Sequence, residues 1–256
     1  NYLSLGYDAR IGFNFDKRRT LSRCGNKCIY FCEGLKKICC RKTMTIQHFI
    51  DTFTVYESNE NSINDTSLFD KGISNNYMNT INNNNEEKIK FQIKSKYSPD
   101  FNQFNKELII KGDPCSIIFQ NISMYMSGVE NIWDRAKSKK AITVLDDNIE
   151  ERIKYENKIT EMDNKKQIID DKKLEVFVFE KGFDIGMERI RKGHAQKLYH
   201  GSGPMEIKFL NSPIYDKSDR KNRIYLNVDG EFFHIVKPIK LRIELNKNIC
   251  NGQIQF

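Results

Sequence analysis

The stretch RIYLNVDGEFFHIV, residues 223–236, predicts a β-hairpin and is the clearest guide to the fold of this chain. Its first half alternates apolar positions with polar or aromatic ones, which is the period-2 pattern of a half-buried strand. Asp229-Gly230 then supplies the two positive-φ residues that a tight hairpin turn requires. Apolar residues return in the second half, as expected of the partner strand.

Glu231 follows this turn directly, so its carboxylate is expected at the lip of the hairpin. A carboxylate that a rigid hairpin holds in place can act as a general base when a proton donor comes within hydrogen-bond reach. Turns of this type also carry solvated acidic residues with no chemical role. The hairpin residues leave both interpretations open.

The composition favours an anionic partner. The chain has 256 residues and a formal net charge of +8, which suits nucleotide phosphates, an acidic membrane face or nucleic acid. Nucleic acid is not expected, because no aromatic-interleaved basic sheet of the RNA-binding type is present. The sequence also has no Walker loop, dinucleotide fingerprint or nucleophile elbow, so it predicts no self-contained active site.

The sequence carries no segment of the kind that targets or spans a membrane. No apolar run approaches about 18 residues, and no secretory signal pattern is found. The chain opens at Asn1 directly in an apolar-alternating pattern, which suggests polypeptide upstream. Its 7 cysteines, an odd number, suggest a reducing compartment and free thiols.

The first forty residues are expected to hold a strand and a helix. Apolar residues occupy every second position from Leu3 to Phe15, which predicts a long strand with a break at Gly6 or Gly12. Apolar residues then recur every three or four positions between residues 21 and 39, as in an amphipathic helix. The cysteines at positions 24, 28, 32, 39 and 40 are expected to fill its buried stripe, since thiols along one helix face cannot wrap a tetrahedral metal ion.

The remainder of the chain predicts short strands separated by turns. These strands are expected at residues 52–56, 89–93, 108–110, 115–122, 174–179, 205–209 and 239–245. Residues 186–192 are expected to form a short helix. Residues 57–87 are predicted to be a disordered Asn-rich insertion, and residues 139–168 a charged insertion that includes a solvated helix. The predicted fold class is α+β, mainly β: a β-sandwich-like domain with one or two helices.

Several segments together resemble the accessory domain of eukaryotic diacylglycerol kinases. They are Asn1-Tyr-Leu-Ser-Leu-Gly-Tyr-Asp-Ala9, Asn26-Lys-Cys-Ile-Tyr30 with Gly34, Asn121-Ile, Tyr125-Met126, Gly128, Asn131-Ile-Trp133, Asp171 with Leu174-Glu-Val176, Gly201-Ser202 and Val228-Asp-Gly-Glu231. Each motif is short, but their order and spread run through the chain, apart from the two insertions. The resemblance therefore implies one accessory domain over residues 1–256.

The resemblance implies half of a lipid kinase that converts diacylglycerol to phosphatidic acid. An upstream catalytic domain of the same polypeptide would carry a Gly-Gly-Asp-Gly motif and bind most of the ATP and Mg²⁺. Glu231 would be the base on the acceptor hydroxyl, and Asp229 would hold the turn or make metal-linked polar contacts. The implied location is cytoplasmic, with peripheral contact to an anionic membrane that contains the diacylglycerol.

One part of the resemblance is imperfect. In bacterial relatives, the turn that enters the strand at Leu174 holds a structural Mg²⁺ between two acidic residues three apart. Asp171 matches one of them, but Ile168 stands at the other position, so this metal site is expected to be lost or rebuilt around Asp170. Lys172 replaces the usual glycine and is expected to alter the turn, and His200 stands where glutamine is common.

Two alternatives remain open from the sequence. The chain could belong to a kinase of another lipid alcohol, such as a sphingoid base or ceramide, because the base chemistry would be the same. It could also be a non-catalytic β-sandwich that binds anionic membranes.

Overall fold

The computed structural model describes most of the chain. The described residues are 2–40, 45–57, 88–99, 106–125, 129–138, 141–146, 148–169, 171–188, 190–210, 223–244 and 253–255. The strands are β1 (Tyr2–Gly6), β2 (Ile50–Tyr56), β3 (Ile89–Lys94), β4 (Lys106–Ile110), β5 (Ser116–Gln120), β6 (Met124–Tyr125), β7 (Val129–Glu130), β8 (Ile142–Asp146), β9 (Leu174–Phe179), β10 (Gln196–Gly201), β11 (Met205–Phe209), β12 (Arg223–Val228), β13 (Glu231–Val236), β14 (Lys240–Glu244) and β15 (Gln253–Gln255). The helices are α1 (Tyr7–Asp16), α2 (Arg23–Cys40), α3 (Ile132–Arg135), α4 (Ile149–Met162) and α5 (Gly182–Met187), with a 3-10 turn at Ile46–His48.

Two large sheets form a sandwich, which confirms the predicted fold class. The 6-stranded sheet has the order β10-β9-β5-β1-β12-β13, and the 7-stranded sheet has the order β15-β14-β11-β2-β3-β4-β8. All pairings are antiparallel except that of β3 with β4. Apolar side chains of both sheets interdigitate between them, with Phe53, Phe91, Phe119 and Tyr199 in mutual ring contact. This inner layer is the main hydrophobic core.

The other face of the 6-stranded sheet carries a second core. Helices α1, α3 and α5 and the segment before α3 cover it, and they bury Tyr7, Tyr125, Trp133 and Phe177 there. Strand β5 therefore lies between two cores, and all its residues are buried, as its apolar centre, Ile117-Ile-Phe119, predicts. The aromatic segment that ends at Trp133 caps this outer core.

A buried lysine holds the end of α4 against the outer core. Lys197 on β10 is fully buried, and its Nζ donates to the carbonyls of Met162 at 3.1 Å, Asp163 at 3.1 Å and Lys165 at 2.9 Å. The same ammonium lies 4.5 Å from the centroid of the Trp133 ring. Burial lowers the pKa of Lys197 to about 8. The Met162 carbonyl also accepts the Lys165 N–H at 3.2 Å, and the Lys165 carbonyl accepts the Trp133 Nε1–H at 2.9 Å. Lys197 is therefore a second donor to these two carbonyls and the described donor to the Asp163 carbonyl.

The predicted strand at residues 3–15 is only half right. The chain breaks at Gly6, which has a φ of 114°, and continues as helix α1 instead of a strand. Alternation at every second position also places Tyr7, Ile11 and Phe15 four residues apart, which is one face of a helix. Because one pattern contains the other, the alternation did not distinguish the two structures.

Helix α2 forms as predicted, but the expected burial of its cysteines is wrong where the side chains are described. Cys24, Cys28 and Cys32 are exposed free thiols, and the side chains of Cys39 and Cys40 lie outside the described residues. The helix instead turns Tyr30 and the buried Glu33 toward α1. A salt bridge of 2.8 Å from Arg18 to Glu33 compensates the burial of that carboxylate, so polar anchoring decides which face is buried.

Two further expectations have definite outcomes, and a third falls on residues that the structure does not describe. The short helix expected at 186–192 lies earlier, at Gly182–Met187. The charged insertion contains the expected helix, α4, but it is not wholly solvated, since Ile159 and Met162 are buried. The Asn-rich insertion at 57–87 lies outside the described residues, apart from Glu57.

Candidate functional site

The predicted hairpin is present and its turn is well defined. Asp229 and Gly230 have φ values of 50° and 95°, so both adopt the left-handed conformation that a two-residue turn between twisted strands requires. Val228 pairs directly with Glu231 across the turn. The Asn227 side chain, which is buried, accepts a hydrogen bond of 2.9 Å from the Gly230 N–H and so closes the turn from within.

Asp229 fastens this turn to the start of the first strand. Its Oδ1 accepts the N–H of Tyr2 at 2.7 Å, and its own N–H donates to the Tyr2 carbonyl at 3.0 Å. The Tyr2 hydroxyl also accepts a bond of 3.2 Å from the Asn227 amide. Asp229 therefore holds the hairpin in place.

Glu231 is the first residue of β13, the edge strand of its sheet, and is exposed to solvent. Its carboxylate makes no hydrogen bond or ion pair with the residues that the structure describes. The next side chain, Phe232, packs on Gly12 of α1 so closely that a Cβ on Gly12 would lie 1.8 Å from the Phe232 ring. The position of Glu231 is thus fixed by a tight turn before it and by a packed ring after it.

The acidic turn before β9 is described in part. The Oδ1 of Asp171 accepts the Lys173 N–H at 2.9 Å, and Lys172 has a φ of 60°. Lys172 thus adopts the left-handed conformation that glycine favours. Asp170 lies outside the described residues.

Asp171 and Glu231 do not share a site. Strands β9 and β12 are separated by β5 and β1, and β13 lies one strand further. Neighbouring strands lie about 4.8 Å apart, which puts these two turns roughly 14 to 19 Å from each other. Within the described part of the chain, no three His, Cys, Asp or Glu side chains cluster as metal ligands would. Among the described residues Asp171 therefore belongs to no cluster that could hold Mg²⁺, and Asp170, around which the site was expected to be rebuilt, is not one of them.

A buried carboxylate that sequence reasoning missed lies behind the hairpin. Asp8, in the first turn of α1, is 3 % exposed. Its Oδ2 accepts hydrogen bonds from the Ser4 hydroxyl and, at 2.5 Å, from the Tyr125 hydroxyl, while its Oδ1 is buried and has no partner among the described residues. Burial, reinforced by the proximity of Asp8, raises the pKa of Tyr125 well above its usual value. Asp8 was detectable as the one acid within the apolar alternation of residues 3–15.

A row of polar side chains runs across the helix-covered side of the 6-stranded sheet. Tyr2, Gln120, Glu175 and His200 are successive cross-strand partners on β1, β5, β9 and β10, so their side chains form a row on one face. Gln120 and Glu175 are buried, and the amide atoms of Gln120 have no partner among the described residues. Asp229 continues this row beyond Tyr2 through the backbone bonds described above.

At the far end of this row, Glu175 and His200 face each other. The Glu175 Oε1 and the His200 Nε2 are 3.6 Å apart, and the His200 ring stacks on Trp133. Burial raises the pKa of Glu175 to about 8 and lowers the pKa of His200 to about 4. Near neutral pH both side chains are therefore uncharged, with the proton on Glu175.

Replacing Glu175 with glutamine should change how stability depends on pH. The folded-state pKa of Glu175 lies above its unfolded value of about 4.5, so its contribution is complete below that value and is lost as pH rises through about 8. Glu175→Gln keeps a neutral side chain with a donor, and its melting temperature relative to the wild type should rise between about pH 5 and pH 9. The measurement is thermal unfolding across that range.

The exposed Glu156→Gln, on α4, makes the same side-chain exchange at a solvated position and serves as the control. Its melting temperature should differ from that of the wild type by the same small amount throughout. A Glu175→Gln difference that is equally flat would mean that Glu175 is ionised in the folded protein.

Comparison with known proteins gives one match. The family model of the diacylglycerol kinase accessory domain matches residues 1–232. These residues include β1, the buried Asp8, both acidic turns and the hairpin as far as Phe232. No curated protein and no solved structure matches the chain significantly.

Proposed function

Because this chain belongs to the diacylglycerol kinase accessory-domain family, we propose that it is the C-terminal half of an ATP-dependent diacylglycerol kinase. The reaction transfers the γ-phosphoryl group of ATP to the primary hydroxyl of diacylglycerol and gives phosphatidic acid and ADP. Under this proposal, an upstream catalytic domain of the same polypeptide supplies the other wall of the active-site cleft.

The observation that carries the proposal is the state of Glu231. It is an exposed carboxylate on a fixed hairpin and has no partner among the described residues. A primary alcohol is a poor nucleophile until a base accepts its proton. Glu231 would accept that proton as the hydroxyl oxygen attacks the γ-phosphorus, and Asp229 would hold the turn during the step through its bonds to Tyr2.

The remaining parts of the reaction belong to the other domain. Phosphoryl transfer needs Mg²⁺ and cationic groups around the equatorial phosphate oxygens. Asp171 does not fit a Mg²⁺ site on the residues that are described, so ATP and Mg²⁺ are assigned to the upstream domain. The hairpin contributes the base alone.

The protein would act at the cytoplasmic surface of a membrane. Its substrate lies in a bilayer, and among the described helices none combines the length and the apolar content needed to cross one. Peripheral contact with anionic lipid is consistent with the net charge of +8.

The test is a lipid kinase assay on the full-length protein. Diacylglycerol, sphingosine and ceramide are presented separately in mixed micelles, with residues 1–256 alone as a second enzyme sample. We expect transfer to diacylglycerol by the full-length protein and none by residues 1–256. Preferential phosphorylation of sphingosine or ceramide would identify a related lipid kinase instead. Turnover by residues 1–256 alone would contradict the two-domain proposal.

A further inference from the structure

Helix α2 presents an apolar stripe to solvent. Leu21, just before the helix, and four residues of the helix follow one another at spacings of three and four, so they share one face. We call this set the outer face: Leu21, Cys24, Cys28, Phe31 and Leu35. Leu21 is 107 % exposed, Phe31 64 % and Leu35 43 %, and both thiols are exposed and free.

The opposite side of α2 is anchored, so the helix cannot roll to bury the outer face. The Tyr7 hydroxyl donates to the Gly34 carbonyl at 3.1 Å, and the Tyr30 ring packs edge-on against Phe15. Arg18 binds Glu33 at 2.8 Å.

The turn between α1 and α2 is also ordered. Asn26 accepts the Thr20 N–H at 2.7 Å, and Ser22 accepts the Gly25 N–H at 3.2 Å as the helix cap. The exposure of Leu21 at this turn is therefore built into the fold.

Positive charge surrounds the outer face. The exposed cations on α1, the turn and α2 are Lys17, Arg18, Arg19, Arg23, Lys27 and Lys36. The two acids in the same region, Asp16 and Glu33, are paired with Arg19 at 3.8 Å and with Arg18 at 2.8 Å. An apolar stripe flanked by cations can bind a surface that is anionic on the outside and apolar inside.

A second copy of the chain is a poor occupant of the outer face. Heptad-like spacing would allow two such helices to pair, but pairing would bring the cations of both copies together without acids to match them. A bilayer with anionic headgroups instead accepts the apolar side chains below the headgroup level and binds the cations at its surface.

We infer that the outer face of α2 is the surface that seats this protein on an anionic membrane. The inference rests on the proposed function only in taking a bilayer to be the place where the substrate lies. Each well-placed Lys or Arg contributes about 1 kcal/mol near acidic lipid. Phe31 and Leu35 add the apolar burial that ties the contact to this helix.

Vesicle sedimentation of residues 1–256 tests the inference without any kinase activity. The vesicles are phosphatidylcholine with roughly one-third phosphatidylserine, compared with phosphatidylcholine alone. Phe31→Glu with Leu35→Glu should weaken binding to the anionic vesicles by about tenfold or more, through lost apolar contact and added repulsion. The wild type should bind neutral vesicles far less.

The matched control places the same two charges on another exposed helix face. Ile149 and Ile153 of α4 are 63 % and 50 % exposed, close to the values for Phe31 and Leu35. Ile149→Glu with Ile153→Glu should weaken binding by less than about threefold, the effect of net charge alone. Equal losses in both double variants would overturn the inference. A second pair of results would also overturn it. In that case the wild type is a dimer in solution and Phe31→Glu with Leu35→Glu is a monomer, yet both bind anionic vesicles equally well.

Discussion

Replacing Glu231 with glutamine in the full-length protein should lower the rate of phosphoryl transfer by about 10²- to 10⁴-fold, the range for loss of a general base. Glutamine keeps the size of the side chain but cannot accept the proton of the attacking hydroxyl. Because Glu231 is exposed and has no partner among the described residues, its replacement should leave the melting temperature unchanged. The measurements are steady-state kinetics with diacylglycerol and thermal unfolding of the same sample.

Two further variants test whether Glu231 acts as a base or is only a charged residue on the surface. Glu231→Asp keeps the carboxylate but withdraws it by one methylene, so its rate should fall between those of the wild type and Glu231→Gln. Glu130→Gln removes an exposed carboxylate on β7 and should leave the rate within about twofold, as expected away from the reacting atoms. Full activity in Glu231→Gln would reduce Glu231 to a solvated turn residue and remove the main support of the proposed function.

Lys197→Met should destabilise the domain by about 1–3 kcal/mol, since the Asp163 carbonyl loses its described donor and a buried polar group left without a partner costs about that much. Methionine fills much of the same volume over the Trp133 ring but donates nothing to the carbonyls of Met162, Asp163 and Lys165. The end of α4 and the Trp133 contact should loosen together. Urea unfolding of residues 1–256 measures the free energy.

Lys208→Met makes the same exchange on an exposed position of β11. It should alter the free energy of unfolding by less than about 0.5 kcal/mol, as is usual at exposed sites. A loss in Lys197→Met no larger than in this control would mean that the Asp163 carbonyl finds another donor.

The sequence predicted those parts of the fold whose patterns permit one structure only. The hairpin at Asp229-Gly230 is one example, since a positive-φ pair between two apolar strands leaves few other structures. Strand β5, with its apolar centre Ile117-Ile-Phe119, is another. The alternation in residues 7–15 was ambiguous because it fits a helix face as well as a strand, and the strain at Gly6 that ends β1 depends on the neighbouring strand.

The cysteine stripe and the buried polar groups could not be predicted for a different reason. Which face of α2 is buried depends on Glu33 meeting Arg18 of the preceding turn, a contact that hydrophobicity does not encode. Asp8 and Glu175 gain their character from partners on distant parts of the chain, such as Tyr125 and His200. Glu231 and Asp229 could be placed on their hairpin because it is local in sequence, and the roles given to them rest on the family resemblance.

The clamp between Asp229 and Tyr2 has a mechanical consequence. Under the proposed function, polypeptide that reaches Tyr2 from the upstream domain enters within hydrogen-bond distance of the turn that bears Glu231. If the two halves of a kinase rotate about that entry point, the Glu231 carboxylate lies close to the axis of rotation. Wide opening of the far side of the cleft would then admit a bulky lipid while moving the carboxylate only slightly.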